Sequence, residues 1–196
     1  MITMKADMTG IILAGGHSSR LGTDKAFIKI GNKTLIENTY RLVTDCCKEV
    51  LISANNHAGY SFPEQRIIPD CIPGLGPVGG IYSCLKHSGT ENNLVIAVDI
   101  PFINKGLVQF LLSNMADAEL IIPISGNGKA EPLCALYKKS VLPHLEKMIT
   151  KKDLKVQNLM HYCKSKKLPV SHEQDFYHDR LFYNINTPDD LYKLIK

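Results

Sequence analysis

The sequence lacks the segments that mark membrane-spanning or exported proteins. No apolar run approaches the ~18 residues of a membrane span, and the longest candidate, Leu94–Val98, has the length of one buried strand. The first eight residues have neither the charged start nor the apolar core of a signal peptide. Repeats, low-complexity tracts and linkers are also absent from the 196 residues. We therefore expect one cytoplasmic domain over residues 1–196, acting as a monomer, with residues 1–8 as a flexible N-terminal extension.

Metal-type cysteine patterns and a strong net charge are lacking as well. None of the six cysteines forms a C-x-x-C pair, and no two histidines flank them at zinc-ligand spacing. We interpret them as free, mostly buried thiols in a reducing compartment. The net charge of +4 is mild and does not indicate a nucleic-acid partner. With 44% hydrophobic and 21% charged residues, wholesale disorder is excluded.

Positive charge is concentrated in one segment near the C-terminal third of the chain. Between Lys147 and Lys167 there are seven lysines and a single acid, Asp153. One interpretation is a solvated face without a ligand. The other is a surface that attracts an anionic substrate or docks an acidic protein that delivers or accepts that substrate.

The order of patterns along the chain predicts an α/β fold with a mainly parallel sheet. The predicted strands are Gly10–Ala14, Val50–Ala54, Arg66–Pro69, Leu94–Val98, Leu120–Ile124 and Glu131–Tyr137, the last two joined by a turn at Gly126–Gly128. The predicted helices are Thr34–Cys47, Gly79–Lys86, Asn104–Met115, two basic helices after Tyr137 and a last helix starting near Thr187. An apolar segment, Leu181–Ile185, precedes that last helix. Alternating strands and helices imply crossover connections, with helices on both faces of the sheet.

Ligands of such sheets bind at the carboxyl ends of the strands, where the chain has its most unusual segment, Leu13–Lys25. Its glycines fit neither the dinucleotide pattern G-x-G-x-x-G nor a P-loop. What remains is a glycine turn at Gly15–Gly16, then hydroxyls, Arg20 and Lys25. Backbone N–H groups and two cations of this kind suit phosphate oxygens. The alternative is an ordinary strand–helix turn.

Two further strand ends carry candidate site residues. Asp99, in Val98-Asp-Ile-Pro101, follows the most apolar strand and can bind Mg²⁺ through one carboxylate, or it can simply cap a turn. The segment Asp70–Gly80 has four glycines in seven residues, so its backbone can approach a ligand closely, or it is a mobile loop.

These segments together resemble the molybdenum cofactor guanylyltransferases, nucleotidyltransferases with a single-domain, three-layer Rossmann-like fold. The resemblance depends on four motifs in the family's order: Leu13-Ala-Gly-Gly16 with Arg20, Gly22 and Asp24-Lys25; Asp70 with Gly76-Pro-Val-Gly-Gly80; Val98-Asp-Ile-Pro101; and Asn184-Ile-Asn-Thr-Pro-Asp-Asp-Leu191. It implies transfer of GMP from GTP to molybdopterin-bound molybdenum cofactor, with Mg²⁺, giving the guanine dinucleotide cofactor and pyrophosphate.

The resemblance also implies roles for the matching residues. Arg20, Lys25 and Asp99 are expected to be catalytic, with Asp99 as the metal ligand. The expected nucleotide contacts are Leu13, Ala14, Gly15, Gly16, Lys25, Asn55, Asp70, Gly76 and Asp99. Asn184 and Asn186 are expected on the pterin side, where amides match the ring's donors and acceptors; their alternative role is a turn before the last helix, capped by Thr187.

The sequence departs from the family at one position and leaves other functions open. Where the family often has Asn-x-Asn after the second strand, this chain has Ser53-Ala-Asn55, which keeps only Asn55 as a base or ribose contact. A cytidylyltransferase of molybdopterin or of another small phosphorylated acceptor is the alternative enzyme. A non-catalytic nucleotide-binding or scaffold protein is disfavoured, because Arg20, Lys25 and Asp99 are all present.

Overall fold

A computed structural model describes residues 5–15, 24–56, 59–60, 62, 65–115 and 117–195 of the chain. Its strands are β1 (Ala6–Leu13), β2 (Lys29–Ile30), β3 (Lys33–Thr34), β4 (Cys47–Ser53), β5 (Gln65–Ile68), β6 (Asn92–Ala97), β7 (Leu120–Ile124), β8 (Cys134–Lys138) and β9 (Ser165–Pro169). Its α-helices are α1 (Leu35–Cys46), α2 (Pro77–His87), α3 (Lys105–Ser113), α4 (Leu142–Thr150) and α5 (Pro188–Ile195). Three short 3₁₀ helices cover Lys25–Phe27, Lys139–Val141 and Val156–His161.

Seven strands form one sheet in the order β5-β4-β1-β6-β8-β7-β9. The neighbours β5, β4, β1 and β6 are mutually parallel, β8 is antiparallel to both β6 and β7, and β9 is parallel to β7. Helices α1 and α3 contact each other on one side, while α2 packs against β1, β4 and α4. The predicted three-layer α/β fold with a mainly parallel sheet is confirmed.

The core lies where the central strands are covered by helices on both faces. Ile11, Ile12, Leu51 and Leu94 are completely buried, which explains why β1, β4 and β6 are almost continuously apolar in sequence. Each such side chain contributes about 1.5–3 kcal/mol by leaving water. This core fixes the carboxyl ends of β1, β4 and β6 side by side.

The helix nearest the first strand begins where its sequence signals predict. Thr34 caps α1: its hydroxyl accepts from the Glu37 N–H at 3.2 Å, and the Glu37 carboxylate accepts from the Thr34 N–H. This reciprocal capping box satisfies backbone groups that the first helical turn leaves unpaired. The prediction of a helix over Thr34–Cys47 therefore agrees with the structure to within one residue at each end.

The structure differs from the predicted N-terminal extension and from the second predicted basic helix. Strand β1 begins at Ala6 and Met8 is buried, so residues 6–8 belong to the sheet and not to a flexible extension. The second predicted basic helix is wrong: its place is taken by the short 3₁₀ helix over Val156–His161 and by β9. The sequence of β9 lacks the apolar pattern of a buried strand, because an edge strand tolerates lysines and needs few apolar side chains. The segment Leu181–Ile185 forms no strand, although both of its end residues are buried.

Across the described residues, no helix combines the length and apolarity needed to cross a membrane.

Candidate active site

An open cleft of about 860 Å³ lies at the carboxyl ends of β1, β4 and β6. Its walls come from these strand ends, from the segment before α2 and from the turn that carries Lys25. The charged side chains among the described lining residues are Asp24, Lys25, Asp70 and Asp99. Three carboxylates and one ammonium make this part of the cleft acidic, so a polyanionic ligand needs additional cations there.

The end of β1 is tied to both of its neighbours. The N–H groups of Ala14 and Gly15 both donate to the Ser53 carbonyl, at 3.1 and 2.9 Å, and the Val98 N–H donates to the Leu13 carbonyl at 3.2 Å. The N–H groups at this strand end are thus already paired within the sheet. The carbonyl oxygens of Ala14 and Gly15 are the backbone groups that could accept from a ligand.

Asp99 lies two residues beyond β6 and is four-fifths buried, with a side-chain exposure of 20%. Its Oδ2 is 3.5 Å from the Lys25 ammonium, while its Oδ1 is buried and has no hydrogen-bond partner among the described residues. Burial raises the pKa of Asp99, and the nearby Lys25 charge opposes this only in part. A buried carboxylate oxygen without a donor is costly unless a ligand completes it.

Lys25 is presented by a short turn built from its own neighbours. Asp24 caps the 3₁₀ helix Lys25–Phe27 by accepting from the Ala26 N–H at 3.0 Å. The Tyr60 hydroxyl donates to the other oxygen of Asp24 at 3.5 Å. From this turn the Lys25 ammonium reaches Asp99 and also donates to Asn186 Oδ1 at 2.9 Å.

Asn55 and Asp70 form a pair on the other wall of the cleft. Asn55 Nδ2 donates to Asp70 Oδ2 at 3.0 Å, and the Asp70 N–H donates to Asn55 Oδ1 at 2.8 Å. The two hydrogen bonds join the segments that follow β4 and β5. They leave the second carboxylate oxygen of Asp70 available for a donor on a ligand.

The glycine-rich segment before α2 is an ordered helix start with two steric requirements. Gly76, at the N-cap, has φ of 57°, a backbone conformation that favours glycine. A Cβ on Gly80 would lie 2.5 Å from Ser53 Oγ and 3.3 Å from a Leu13 methyl group, so this glycine lets α2 approach the ends of β1 and β4. The segment is therefore an ordered helix start packed against the strand ends, and its close approach to a ligand stays a prediction.

The structure brings together most of the predicted site residues. The cleft is lined by Leu13, Ala14, Gly15, Lys25, Asn55, Asp70, Gly76 and Asp99. Asn186 joins them through Lys25, and Asn184 lies on the same segment with its Oδ1 buried and unpaired among the described residues. The predicted residues Gly16 and Arg20, and the motif residue Gly22, lie outside the described residues.

Several lining residues were not predicted from the sequence. Asp24 lies in the Asp24-Lys25 motif, and its position immediately before a short helix is the sequence signal that indicates a capping residue. Ser53 was read only as a departure from a family pattern, yet its carbonyl holds the end of β1. Tyr60 and Leu133 carry no local signal, because only the fold brings them to the cleft.

The oxygen donors of the cleft determine which kind of divalent cation site it can form. Among the described residues, no group of three or more His, Cys, Asp or Glu side chains could hold a metal alone. Mg²⁺, however, is commonly bound by one or two carboxylates together with substrate phosphates and water. The unpaired Oδ1 of Asp99 in an acidic cleft therefore fits a cation that arrives with a phosphate ligand.

Comparisons with known proteins identify the family of this chain. Residues 10–168 match the family model described as a MobA-like NTP transferase domain. A relative from Clostridium perfringens, named "Probable molybdenum cofactor guanylyltransferase", is 37% identical over 192 residues and 94% of each chain. One from Flavobacterium johnsoniae with the same name is 32% identical, again over 94% of each chain.

Solved structures of similar fold include members of related nucleotidyltransferases. The crystal structure of molybdopterin-guanine dinucleotide biosynthesis protein A from Archaeoglobus fulgidus is 26% identical with a TM-score of 0.80, covering 95% of this chain and 96% of that one. The 2-C-methyl-D-erythritol 4-phosphate cytidylyltransferase from Thermus thermophilus, 19% identical with a TM-score of 0.68 and 97% of each chain covered, shares the fold. This chain belongs to the MobA-like NTP transferase family.

Proposed function

We propose that this protein transfers GMP from GTP to molybdopterin-bound molybdenum cofactor and releases pyrophosphate. The names of relatives that match 94% of the chain support this reaction. The structural observation that carries it is the pairing of Asp99 and Lys25 at the floor of an acidic cleft, with one Asp99 oxygen unpaired among the described residues. Such a site suits a triphosphate that binds together with a cation.

The chemistry is a displacement at the α-phosphorus of GTP. A phosphate oxygen of the acceptor forms a bond to that phosphorus, and the bond to the β-phosphate bridging oxygen breaks, which releases pyrophosphate. Both reactants are anionic, so the main obstacle is charge repulsion and not proton removal. Catalysis of this kind depends on positioning and electrostatic stabilisation.

Asp99, Lys25 and Arg20 are proposed to act on the phosphates in this reaction. Asp99 would hold Mg²⁺, which when bound supplies charge neutralisation at the phosphates. Lys25, 3.5 Å from Asp99, donates to phosphate oxygens and balances the negative charge that develops. Arg20 is proposed as the second cation.

Base recognition is assigned to the wall opposite Lys25. Guanine presents two N–H donors beside a carbonyl acceptor, and the carbonyl oxygens at the end of β1 can accept from such donors. Asp70, held by Asn55 at 3.0 Å, directs a carboxylate oxygen toward the base or the ribose. The backbone around Gly76 approaches the nucleotide closely, while Asn184 and Asn186 face the pterin acceptor.

The lysine-rich region supports a further part of the proposal. Lys147, Lys151, Lys152 and Lys155 are exposed, and none has an ion pair in the described part of the chain. Asp153 is occupied by hydrogen bonds from Asn158 and Tyr162. We assign this region to steering of the anionic acceptor or docking of an acidic protein that delivers or receives it. Charge reversal at three of these lysines should slow cofactor transfer several-fold at low salt and little at high salt. If the variant and the wild type transferred the cofactor at the same rate at low salt, the region would be a solvated face without a ligand.

The oligomeric state and the cellular location of the protein are the remaining parts of the proposal. We propose a monomer, and we infer a location in the cytoplasm, which the six free cysteines support. Size-exclusion chromatography with light scattering tests the first point.

A thermal-shift panel of GTP, ATP, CTP and UTP, with and without Mg²⁺, tests the nucleotide. Ligand at ~100 times Kd should add about 2.7 kcal/mol to the free energy of unfolding. We expect a shift with GTP that depends on Mg²⁺. A shift selective for CTP would move the enzyme to the cytidylyl branch, and no shift with any nucleotide would contradict the proposal.

A further inference from the structure

The segment that follows Asn184 is anchored at both of its ends. On one side the Ile185 N–H donates to the Asp99 carbonyl at 2.8 Å. On the other, Asp190 Oδ2 accepts from the N–H groups of Asn186 and Thr187, at 3.0 and 2.9 Å, as part of the cap of α5. The backbone of Asn186 is therefore fixed between the end of β6 and the start of α5.

From this fixed backbone the Asn186 side chain reaches Lys25. Its Oδ1 accepts from the Lys25 ammonium at 2.9 Å, which is shorter than the 3.5 Å between Lys25 and Asp99. An ammonium has three donors. Among the described residues its partners are Asn186 and Asp99, which leaves one donor for a phosphate oxygen.

We propose that Asn186 is a positioning residue for Lys25 and so belongs to the nucleotide half of the site, a role that rests on the proposed function. A lysine side chain has four rotatable bonds and loses much conformational freedom when it binds a phosphate. The hydrogen bond to Asn186 restricts that freedom before the nucleotide arrives.

Asn184 provides the matched control, since it is an amide on the same segment. Its Oδ1 is buried with no partner among the described residues, and it makes no hydrogen bond to Lys25. A residue that serves only the acceptor should not change nucleotide affinity. The two amides thus separate the two roles.

The test measures GTP affinity by calorimetry with Mg²⁺ and without acceptor, using full-length protein. We expect Asn186→Ala to weaken GTP binding about tenfold, in line with loss of a charge-assisted hydrogen bond, and Asn184→Ala to leave it unchanged. Lys25→Met should weaken it further. In the double variant Asn186→Ala/Lys25→Met, the loss should equal that of Lys25→Met alone, because Asn186 acts through Lys25.

Turnover gives a second readout that a purely structural role would not move. Asn186→Ala should raise KM for GTP, whereas Asn184→Ala should raise KM for the acceptor, with unfolding temperatures of all variants measured alongside. Equal GTP affinity in Asn186→Ala and the wild type, or additive losses in the double variant, would overturn the inference while leaving the proposed function intact. A wild type that binds no nucleotide would overturn both.

Discussion

Glu49 and Asp99 are carboxylates at opposite ends of the same sheet, and their surroundings differ in the donors they supply. Glu49, near the start of β4, accepts from the Thr9 hydroxyl at 2.8 Å, the Gly89 N–H at 3.0 Å and Arg66 at 2.7 Å. Asp99, beyond the end of β6, has Lys25 at 3.5 Å and one oxygen without a partner among the described residues. Their side-chain exposures are similar, 25% and 20%.

The pKa values of the two carboxyl groups move in opposite directions as a result. Burial alone would raise the pKa of Glu49, but its hydrogen bonds outweigh burial and lower it. Burial raises the pKa of Asp99, and Lys25 does not compensate fully. The first arrangement stabilises the fold, whereas the second leaves a carboxylate with one oxygen that, in the proposed function, a bound cation would complete.

Asp99→Asn should give the largest effect of all. It keeps the shape of the side chain and removes the charge that would hold the cation, so turnover should fall about a thousandfold or more. Pyrophosphate release from GTP with the acceptor measures this. Glu49→Gln is the matched control, expected to retain turnover at a temperature where both variants are folded. Equal turnover of Asp99→Asn and the wild type would remove Asp99 from the mechanism.

Gly80→Ala should distort the floor of the cleft and destabilise the fold by about 2 kcal/mol. The reason is the 2.5 Å separation between its added Cβ and Ser53 Oγ. Gly126→Ala is the control, since its Cβ would meet only the Tyr177 hydroxyl at 3.6 Å. Urea unfolding measures the free energy of unfolding of both variants. Equal stability of the two would show that Ser53 and its neighbours move aside for the added methyl group.

Glu49→Gln should destabilise the protein by about 1 kcal/mol at neutral pH, because a charged acceptor of three hydrogen bonds is lost. The lowered pKa of Glu49 means that its contribution is present above the pKa of the unfolded chain and is lost as pH falls through the folded pKa. The difference between variant and wild type should therefore shrink in acid. A difference that stays constant from pH 7 to pH 3 would contradict this.

Asp99→Asn should have the opposite and smaller effect on stability, a gain of about 0.5–1 kcal/mol at neutral pH. A carboxyl group with a raised folded pKa loses stability as pH rises from the unfolded pKa through the folded pKa. The gain should thus be absent in acid and complete above the folded pKa. Thermal unfolding of the ligand-free protein at several pH values tests it, and a destabilised variant at neutral pH would show that the Lys25 contact outweighs burial.

The sequence carried enough information for the central fold because local pattern and tertiary burial agree there. Strands β1, β4 and β6 are apolar on both faces, and Thr34 and Glu37 form the capping box at the start of α1. Strand β9 was not predicted, because its lysine-rich sequence is also typical of a solvated helix. An edge position, which only the assembled sheet defines, makes that sequence a strand.

The site residues also fall into two groups, those that the local sequence predicts and those that only the fold brings to the cleft. Lys25, Asp70 and Asp99 follow strand ends in sequence, so parallel strands bring them together. Tyr60 and Leu133 reach the cleft only through long-range packing. The hydrogen bond between Lys25 and Asn186 joins residues 161 positions apart, and no local pattern predicts it.

The most direct test of the contrast between the two carboxylates is a titration with Mn²⁺ followed by electron paramagnetic resonance, in the presence of GTP. The wild type and Glu49→Gln should both immobilise Mn²⁺ with the nucleotide, while Asp99→Asn should leave it in the free GTP complex. If Asp99→Asn immobilised Mn²⁺ as tightly as the wild type, the unpaired oxygen of Asp99 would not be the cation's ligand, and the central claim would be wrong.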